Sequence, residues 1–368
     1  MKFSIQRNSL LNGLTHALGA VTSKSSLPAL EGLLITADTQ LTITGYDLEI
    51  GIVVTLEASV EEKGSIVLNA QTFSEIIKKL PDDVVNVTIK DDLKTDIVCG
   101  MSKFFISGIS PDEFPELPRI EYNKSLSLPE NLLRSMIKQT VYAVSINENK
   151  PVHTGCLFNI EGNVINSVGV DGYRLALRQE SIDLPPDQKF SFIVPGKSLT
   201  KLLRMIDDTE TLVNINIAEK HAIFEIENIV LMTRLLEGDF LNYKNAIPKE
   251  MPIHIIADVK TFVDSIDRAS LLISERQRSP IRLKFEKDDV VLLCVSPLGR
   301  VEDKFSVQSN GGEVEIGFNN KYLSEAFRNT ECDEVEIGLK DSLSPMVIKP
   351  VNSSSFTFLV LPVRLKNE

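Results

Sequence analysis

The chain has 368 residues, 43% hydrophobic and 24% charged, with no Trp; that length allows two or three domains with cores of their own and the composition excludes a disordered, collagenous or disulfide-stapled class. With 39 Lys and Arg against 51 Asp and Glu the formal net charge is −12, which excludes a uniformly basic nucleic-acid coat but says nothing about where the charges sit. The four cysteines form no CxxC, the N-terminal MKFSIQRNSLLNGL has no continuous apolar core, and no run reaches the ~18 apolar residues of a membrane span, so the chain reads as a reduced, cytoplasmic, non-membrane protein.

In chain order, KFSIQRNSLLNGLTHALGAV from Lys2 alternates for about five residues and then takes a helical period over 8–21. EGLLITADTQLTITGYDLEIGIVV reads as paired strands around a turn at Asp38-Thr39, and SIVLNAQTFSEIIKKLPDDVVNVTI from Ser65 sets a helix over 72–80 between strands. The pattern then recurs. SLSLPENLLRSMIKQTVYAV from Ser125 predicts a helix over 129–145, with a capping box from Ser127 to Glu130 and Pro129 in the first turn. TGCLFNIEGNVINSVGVDGYRLALRQ turns at Glu161-Gly162, and FIVPGKSLTKLLRMIDDTETLVNINI from Phe192 carries a helix over 197–206. IHIIADVKTFVDSIDRASLLI from Ile253 predicts a helix over 259–273, IRLKFEKDDVVLLCVSPLGRVEDKF turns at Lys287-Asp288, and VEIGFNNKYLSEAFRNTECDEVEIGL from Val314 holds one over 320–329.

The starts at Lys2, Ser125 and Ile253 are 123 and 128 residues apart, and aligning Phe73, Leu199 and Tyr322 gives 126 and 123. A repeat of that period defines three tandem domains, each of two strand-helix-strands half-units. The polar or Pro-bearing connections at 118–125 and 248–252 place the domains at 1–121, 122–249 and 250–368. The fold class is α+β with antiparallel sheets.

The six helical windows hold eleven Lys and Arg against five Asp and Glu, a net of +6 in a chain of net −12. Lys78, Lys79, Arg134 and Lys138 contribute, and the 197–206 window has Lys197, Lys201 and Arg204 with no acid. Equivalent helices turned to one side would form a positive surface for phosphates without base readout. Catalytic signals are missing: there is no GxxxxGK[ST], GxGxxG after a strand, HExxH or GxSxG, and the four histidines are isolated. No cofactor or metal is expected. A nucleotide-processing enzyme would need convergent acids or a His site and metal-dependent turnover; a pure scaffold would have no requirement for DNA.

Three units of this length, with VDGYRLAL at 170–177, FLVLPVRL at 358–365, LPAL at 27–30, TGYDLE at 44–49 and DEFPELP at 112–118, closely resemble the bacterial sliding clamp family, the β subunits of DNA polymerase III. The resemblance covers residues 1–365; Lys366, Asn367 and Glu368 extend beyond the usual ending. It implies a non-catalytic homodimer ring, closed head to tail, with sheets outside and helices lining the hole. Such a ring encircles duplex DNA without regard to sequence and tethers the replicative polymerase, the clamp loader and repair polymerases through short peptide motifs. The implied dimer interface includes Phe104 and Ile106 on one edge and Leu271 and Leu272 on the other. Lys24, Lys150, Arg276 and Arg278 join the helix bases as DNA-facing residues. The implied peptide pocket takes His153, Val170, Gly172, Tyr173, Arg174, Leu175, Leu241, Asn245, Ala246, Tyr322, Pro345, Leu359, Leu361, Pro362, Val363 and Arg364. His153, Asn245 and Val363 depart from the residues common at those positions, as expected shifts in partner preference. Pro362 cannot continue a central ladder, so the last segment is expected to leave its sheet, with Leu361 and Val363 forming a wall opposite Leu175 and Leu241.

Overall fold

The structure, a computed structural model, describes residues 1–365 apart from 23, 91, 148 and 274–278. Six α-helices stand among them: α1 (Arg7–Ala17), α2 (Ala70–Lys79), α3 (Glu130–Val141), α4 (Gly196–Leu202), α5 (Val259–Ser270) and α6 (Asn320–Arg328). Each overlaps one of the six periodic windows, with the starts at Arg7, Ala70 and Gly196 one or two residues early and α3 and α5 ending at Val141 and Ser270, short of 145 and 273. Three begin on a side chain that accepts a backbone N–H left over at the helix start. Asn69 takes that of Thr72 at 2.9 Å, Asp258 that of Thr261 at 2.7 Å, and Asn319 those of Lys321 and Tyr322 at 3.0 and 3.3 Å.

The caps correct the repeat alignment. Phe73 and Leu323 each lie four residues beyond their cap and are fully buried, as is Leu199. The third member of that set is therefore Leu323; Tyr322, one residue earlier, turns a half-buried ring elsewhere. The expected capping box at Ser127 does not form. The strand Lys124–Pro129 pairs with Leu212–Ile217 through Pro129, so Ser127 is a ladder residue and donates to Asn214 Oδ1 at 2.7 Å, while Glu130 accepts from Thr209 Oγ1 at 2.6 Å.

The chain divides into two compact units, Met1–Leu133 with Lys197–Leu235, and Arg134–Gly196 with Leu236–Glu368. The first unit has a five-stranded sheet in the order Ser59–Glu62, Lys2–Gln6, Val84–Ile89, Lys94–Cys99, Ser102–Ser107. Its eight-stranded sheet runs Lys124–Pro129, Leu212–Ile217, His221–Ile226, Ile229–Arg234, Ile50–Leu56, Leu41–Tyr46, Gly32–Ala37, Gly64–Asn69. The second unit has a nine-stranded sheet, Lys189–Pro195, Gly155–Glu161, Val164–Val170, Arg174–Ser181, Phe356–Val360, Met346–Pro350, Glu334–Leu339, Ile253–Asp258, Gln308–Ser309. Its four-stranded sheet runs Gly299–Ser306, Asp289–Ser296, Ile281–Glu286, Val314–Phe318. All ladders among the described residues are antiparallel.

Compactness therefore does not follow the sequence repeat. In the first unit a strand of the second repeat pairs with one of the first, Leu231 opposite Ile52; in the second unit a strand of the second repeat pairs with one of the third, Leu175 opposite Leu359. The hairpins sit close to their expected turns. Glu161 faces Val164 across Gly162-Asn163, one residue later than expected, with Gly162 at φ +64°; Glu286 faces Asp289 across Lys287-Asp288; Ala37 faces Leu41. In the second unit Phe262 of α5 stacks on Phe327 of α6 at 4.1 Å, both fully buried.

Two glycines let a helix end approach a strand. A Cβ on Gly45 would lie 2.2 Å from the Ala17 carbonyl oxygen, and one on Gly169 would lie 2.2 Å from that of Thr140. The contact is with backbone, so no rotamer change relieves it. Gly169→Ala is expected to destabilise the protein by about 1–3 kcal/mol, as overpacking does, read as a lower urea midpoint in equilibrium unfolding.

Candidate functional site

The turn between Val164–Val170 and Arg174–Ser181 is built by Asp171, whose Oδ1 accepts from the backbone N–H groups of Tyr173 at 2.8 Å and Arg174 at 3.0 Å. Gly172 holds φ +91°, a conformation L residues rarely take, and the turn pushes Tyr173 outward, 60% exposed. Beneath it Val170, Leu175 and Leu359 are buried in one apolar cluster with Leu157, Tyr243 and Val347. Tyr173 and Leu361, 39% exposed, are joined beside this floor by a backbone bond, and Leu241 is exposed at 43% next to Phe240, which packs on the cluster. A buried aliphatic floor with a projecting apolar rim suits anchoring side chains of a peptide.

The last segment behaves as Pro362 requires. The strand Phe356–Val360 stops before Leu361, whose N–H donates to the Tyr173 carbonyl at 2.9 Å, and Val363 N–H donates to the Gly317 carbonyl at 2.9 Å. The segment thus crosses to the edge of the four-stranded sheet, and Val363 is pinned there by a bridge with Gly317. From α6, the Tyr322 ring stacks on Tyr173 at 5.8 Å and 19°. His153, in the turn Pro151–Thr154, packs edge-on to Phe240 at 5.6 Å. Burial, and secondarily the Lys150 charge, lowers its pKa below 6.5.

His153, Gly172, Tyr173, Arg174 and Tyr322 line one open cleft of about 1080 Å³, together with Lys150 and Asn319. Asn245 and Ala246 are held by backbone bonds to Asn242 and Tyr243, Pro345 is half-buried and Arg364 exposed; these four, with Leu241, Leu361, Pro362 and Val363, lie outside both the cleft lining and the buried cluster. Arg174 is a buried residue whose guanidinium is engaged by Asp171, Glu325 and the Tyr142 carbonyl.

The basic residues separate into classes that sequence cannot distinguish. Lys24, Lys78, Lys79, Lys138, Lys150, Lys197 and Arg204 are exposed; Arg134 and Lys201 are half-buried. Lys78 lies 3.7 Å from Glu75, Lys138 3.3 Å from Glu331 and Lys201 3.3 Å from Asp47. On α5 and α6, Lys260 pairs with Asp264 at 2.8 Å, Arg268 with Asp303 at 2.8 Å and Arg328 with Asp267 at 2.6 Å. Acids thus stand beside bases on α2 to α6 alike, and the numerical surplus of Lys and Arg is greatest over α2 to α4. Arg276 and Arg278, like the extension 366–368, fall outside the described residues.

Phe104 and Ile106 lie on Ser102–Ser107, the outer strand of the five-stranded sheet. Phe105, 69% exposed, and Met101, 98% exposed, belong to the same edge and were missed by sequence reasoning; a run of apolar residues on both faces of a short strand is the signal that marks them. Leu271, 81% exposed, and half-buried Leu272 follow α5; exposed Leu298 precedes Gly299–Ser306, the outer strand of the four-stranded sheet. Among the described residues no group of three or more His, Cys, Asp or Glu is disposed to hold a metal, and no helix is long and apolar enough to cross a membrane.

Three β-rich repeats with two helices each, neighbours sharing a sheet, define a clamp-type protein. The DNA polymerase III beta subunit models match in order: the N-terminal domain over residues 1–118, the central domain over 127–242 and the C-terminal domain over 244–364. The beta sliding clamp of Bacillus subtilis is 35% identical, over 99% of this chain and 100% of its own length. Its solved structure superposes with a TM-score of 0.95 over 100% of both chains at 34% identity. That of a beta subunit from Eubacterium rectale gives 0.94 at 31% identity over 99% of each. The chain belongs to the DNA polymerase III beta subunit family, the bacterial sliding clamps, and its function is that of a DNA sliding clamp.

His153 sets a pH signature for the cleft. Its lowered folded pKa means that the unfolded chain takes up a proton near pH 6.5 which the folded state resists, so the residue costs stability as pH falls below 6.5. His153→Leu removes that linkage. The stability difference between variant and wild type, from urea unfolding, is expected to shift in the variant's favour between pH 7.5 and 5.5.

Proposed function

We propose that this sliding clamp closes head to tail with a second copy into a ring, the edge strand Ser102–Ser107 of one protomer meeting Gly299–Ser306 of the other. One observation carries the reading: each strand is the unpaired outer edge of its sheet, and apolar side chains are exposed on or beside it, including Phe104, Phe105, Leu271 and Leu298. Two unlike edges that complete one another make a heterologous contact, which closes a ring when the rotation allows. Phe104, Ile106, Leu271 and Leu272 lie at that junction. The domains run 1–121, 122–249 and 250–368, with limits in the strand-free connections that follow Ser107 and Arg234.

The ring holds duplex DNA without catalysis, cofactor or base readout, in the cytoplasm. Lys24, Lys78, Lys79, Arg134, Lys138, Lys150, Lys197, Lys201, Arg204, Arg276 and Arg278 face its phosphates. Replicative and repair polymerases and the clamp loader dock by a short peptide with Leu or Phe anchors. Its anchors enter the floor of Val170, Leu175 and Leu359 between Tyr173, Leu241 and Leu361, tethering by effective concentration. Supporting this is the contrast between that apolar, rimmed pocket and the basic surplus on α2 to α4.

Topology is tested by loading the protein on nicked circular DNA and linearising it: retention on circles and loss from linear ends is expected, and equal retention on both contradicts the ring. Lys197→Glu with Arg204→Glu should reduce retention and flatten its salt dependence by about 0.9 log units for each lost phosphate contact. Lys201 is left intact in that variant because a carboxylate there would face Asp47.

The junction is tested by Leu272→Ala with Ile106→Ser. Buried Leu→Ala changes cost about 2–5 kcal/mol, and a two-junction ring feels the loss twice. Sedimentation at nanomolar concentration should show monomer; an undiminished dimer contradicts the assignment of these edges.

A further inference from the structure

We propose that Arg174 is a positioning residue: although it belongs to the cleft lining, its guanidinium is committed to the protein, tying the pocket turn to α6 and so setting the Tyr173–Tyr322 wall. The inference rests on the peptide-docking reading of the pocket and deepens it.

The Arg174 side chain is only 7% exposed. Its Nε donates to Asp171 Oδ2 at 3.1 Å, Nη1 to Glu325 Oε2, and Nη2 to the Tyr142 carbonyl at 2.6 Å. The guanidinium carbon lies 4.7 Å from the Tyr322 ring centroid and 5.3 Å from that of Tyr142. A buried cation needs such compensation, and this one is spent on the protein itself: a carboxylate in the turn, a carboxylate on α6, and the rings beside it. Tyr322, resting on Arg174, is the ring on which Tyr173 stacks.

The first unit carries the same turn without the arginine. Asp47 Oδ1 accepts from Glu49 N–H at 3.0 Å and Ile50 N–H at 2.7 Å, and Leu48 stands at φ +74° where Gly172 is. Arg234 N–H donates to the Glu49 carbonyl at 2.9 Å, as Leu361 does to Tyr173. There Asp47 Oδ2 takes Lys201 of α4 directly, at 3.3 Å. Lys201 lies two residues after Leu199, and Glu325 two residues after its equivalent Leu323. The aspartate turn is thus tied to the same helix position in both units. Where that position is acidic, an arginine is inserted between the two carboxylates; where it is basic, buried Ile50 occupies the arginine's place. A tie kept through an exchange of charges is a device of the fold, not a ligand contact.

The chain has no Trp, so Tyr173→Trp supplies a single emitter on the wall. In full-length protein carrying it, Glu325→Ala and Arg174→Met should each shift Trp emission without peptide, with Arg174→Lys in between. In the Tyr173 background, a fluorescein-labelled Leu/Phe-containing peptide read by anisotropy should bind Glu325→Ala about tenfold more weakly, ~1.4 kcal/mol, and Arg174→Lys should recover part of what Arg174→Met loses. Wild-type affinity and unmoved emission in Glu325→Ala, with binding lost in Arg174→Met, would overturn the proposal in favour of direct contact. Absence of peptide binding to the wild type, with emission still shifted in Glu325→Ala, would sink the docking reading and leave the tie supported.

Discussion

The constraint on which the structure depends is the continuation of each large sheet across a repeat boundary. Arg174–Ser181 pairs with Phe356–Val360, and Ile50–Leu56 pairs with Ile229–Arg234. Without those ladders each repeat would present open strand edges, and residues far apart in sequence would have no reason to meet. The pocket is a direct product of the first ladder. Leu175 and Leu359 are opposed because their strands pair, and Leu361 lies against Tyr173 because the chain leaves the sheet one residue after the pairing ends.

Charge is arranged on this frame by local pairing. The net of −12 would repel DNA if it were spread evenly. Acids on α5 and on the strand Gly299–Ser306 are used up on Arg328 and Arg268, whereas Lys79, Lys197 and Arg204 stay exposed on or just beyond α2 and α4. For a protein that must slide, few and exposed phosphate contacts are an advantage, since they are screened and readily exchanged.

Much of this was legible in the sequence because it is local. Six helices announce themselves by their period, and Pro362 marks where the last strand must stop; the caps Asn69, Asp258 and Asn319 went unread. Other features have no local signature. Ser127 before Pro129 and Glu130 looks like a helix cap, yet pairing with the distant Leu212–Ile217 keeps it in a strand. Tyr322 and Leu323 are adjacent and both apolar enough for a core, and only the cap at Asn319 decides which one is buried. The motif holding Arg174 identifies a pocket residue without telling that its guanidinium turns inward, because Glu325 lies 151 residues away. Phe105 and Met101 escaped notice because exposure of an edge strand depends on which strand has no neighbour.

The sheet-sharing account is tested most directly by native-state hydrogen exchange on the purified full-length protein. Amides of Leu175, Leu177 and Leu359, in the ladder between repeats, should exchange with the same opening free energy as those of Phe158 and Ile160, in a ladder within one repeat. Exchange of the inter-repeat amides through a distinctly lower-energy opening, with the intra-repeat ladders still protected, would mean that each repeat is its own cooperative unit and would contradict the account.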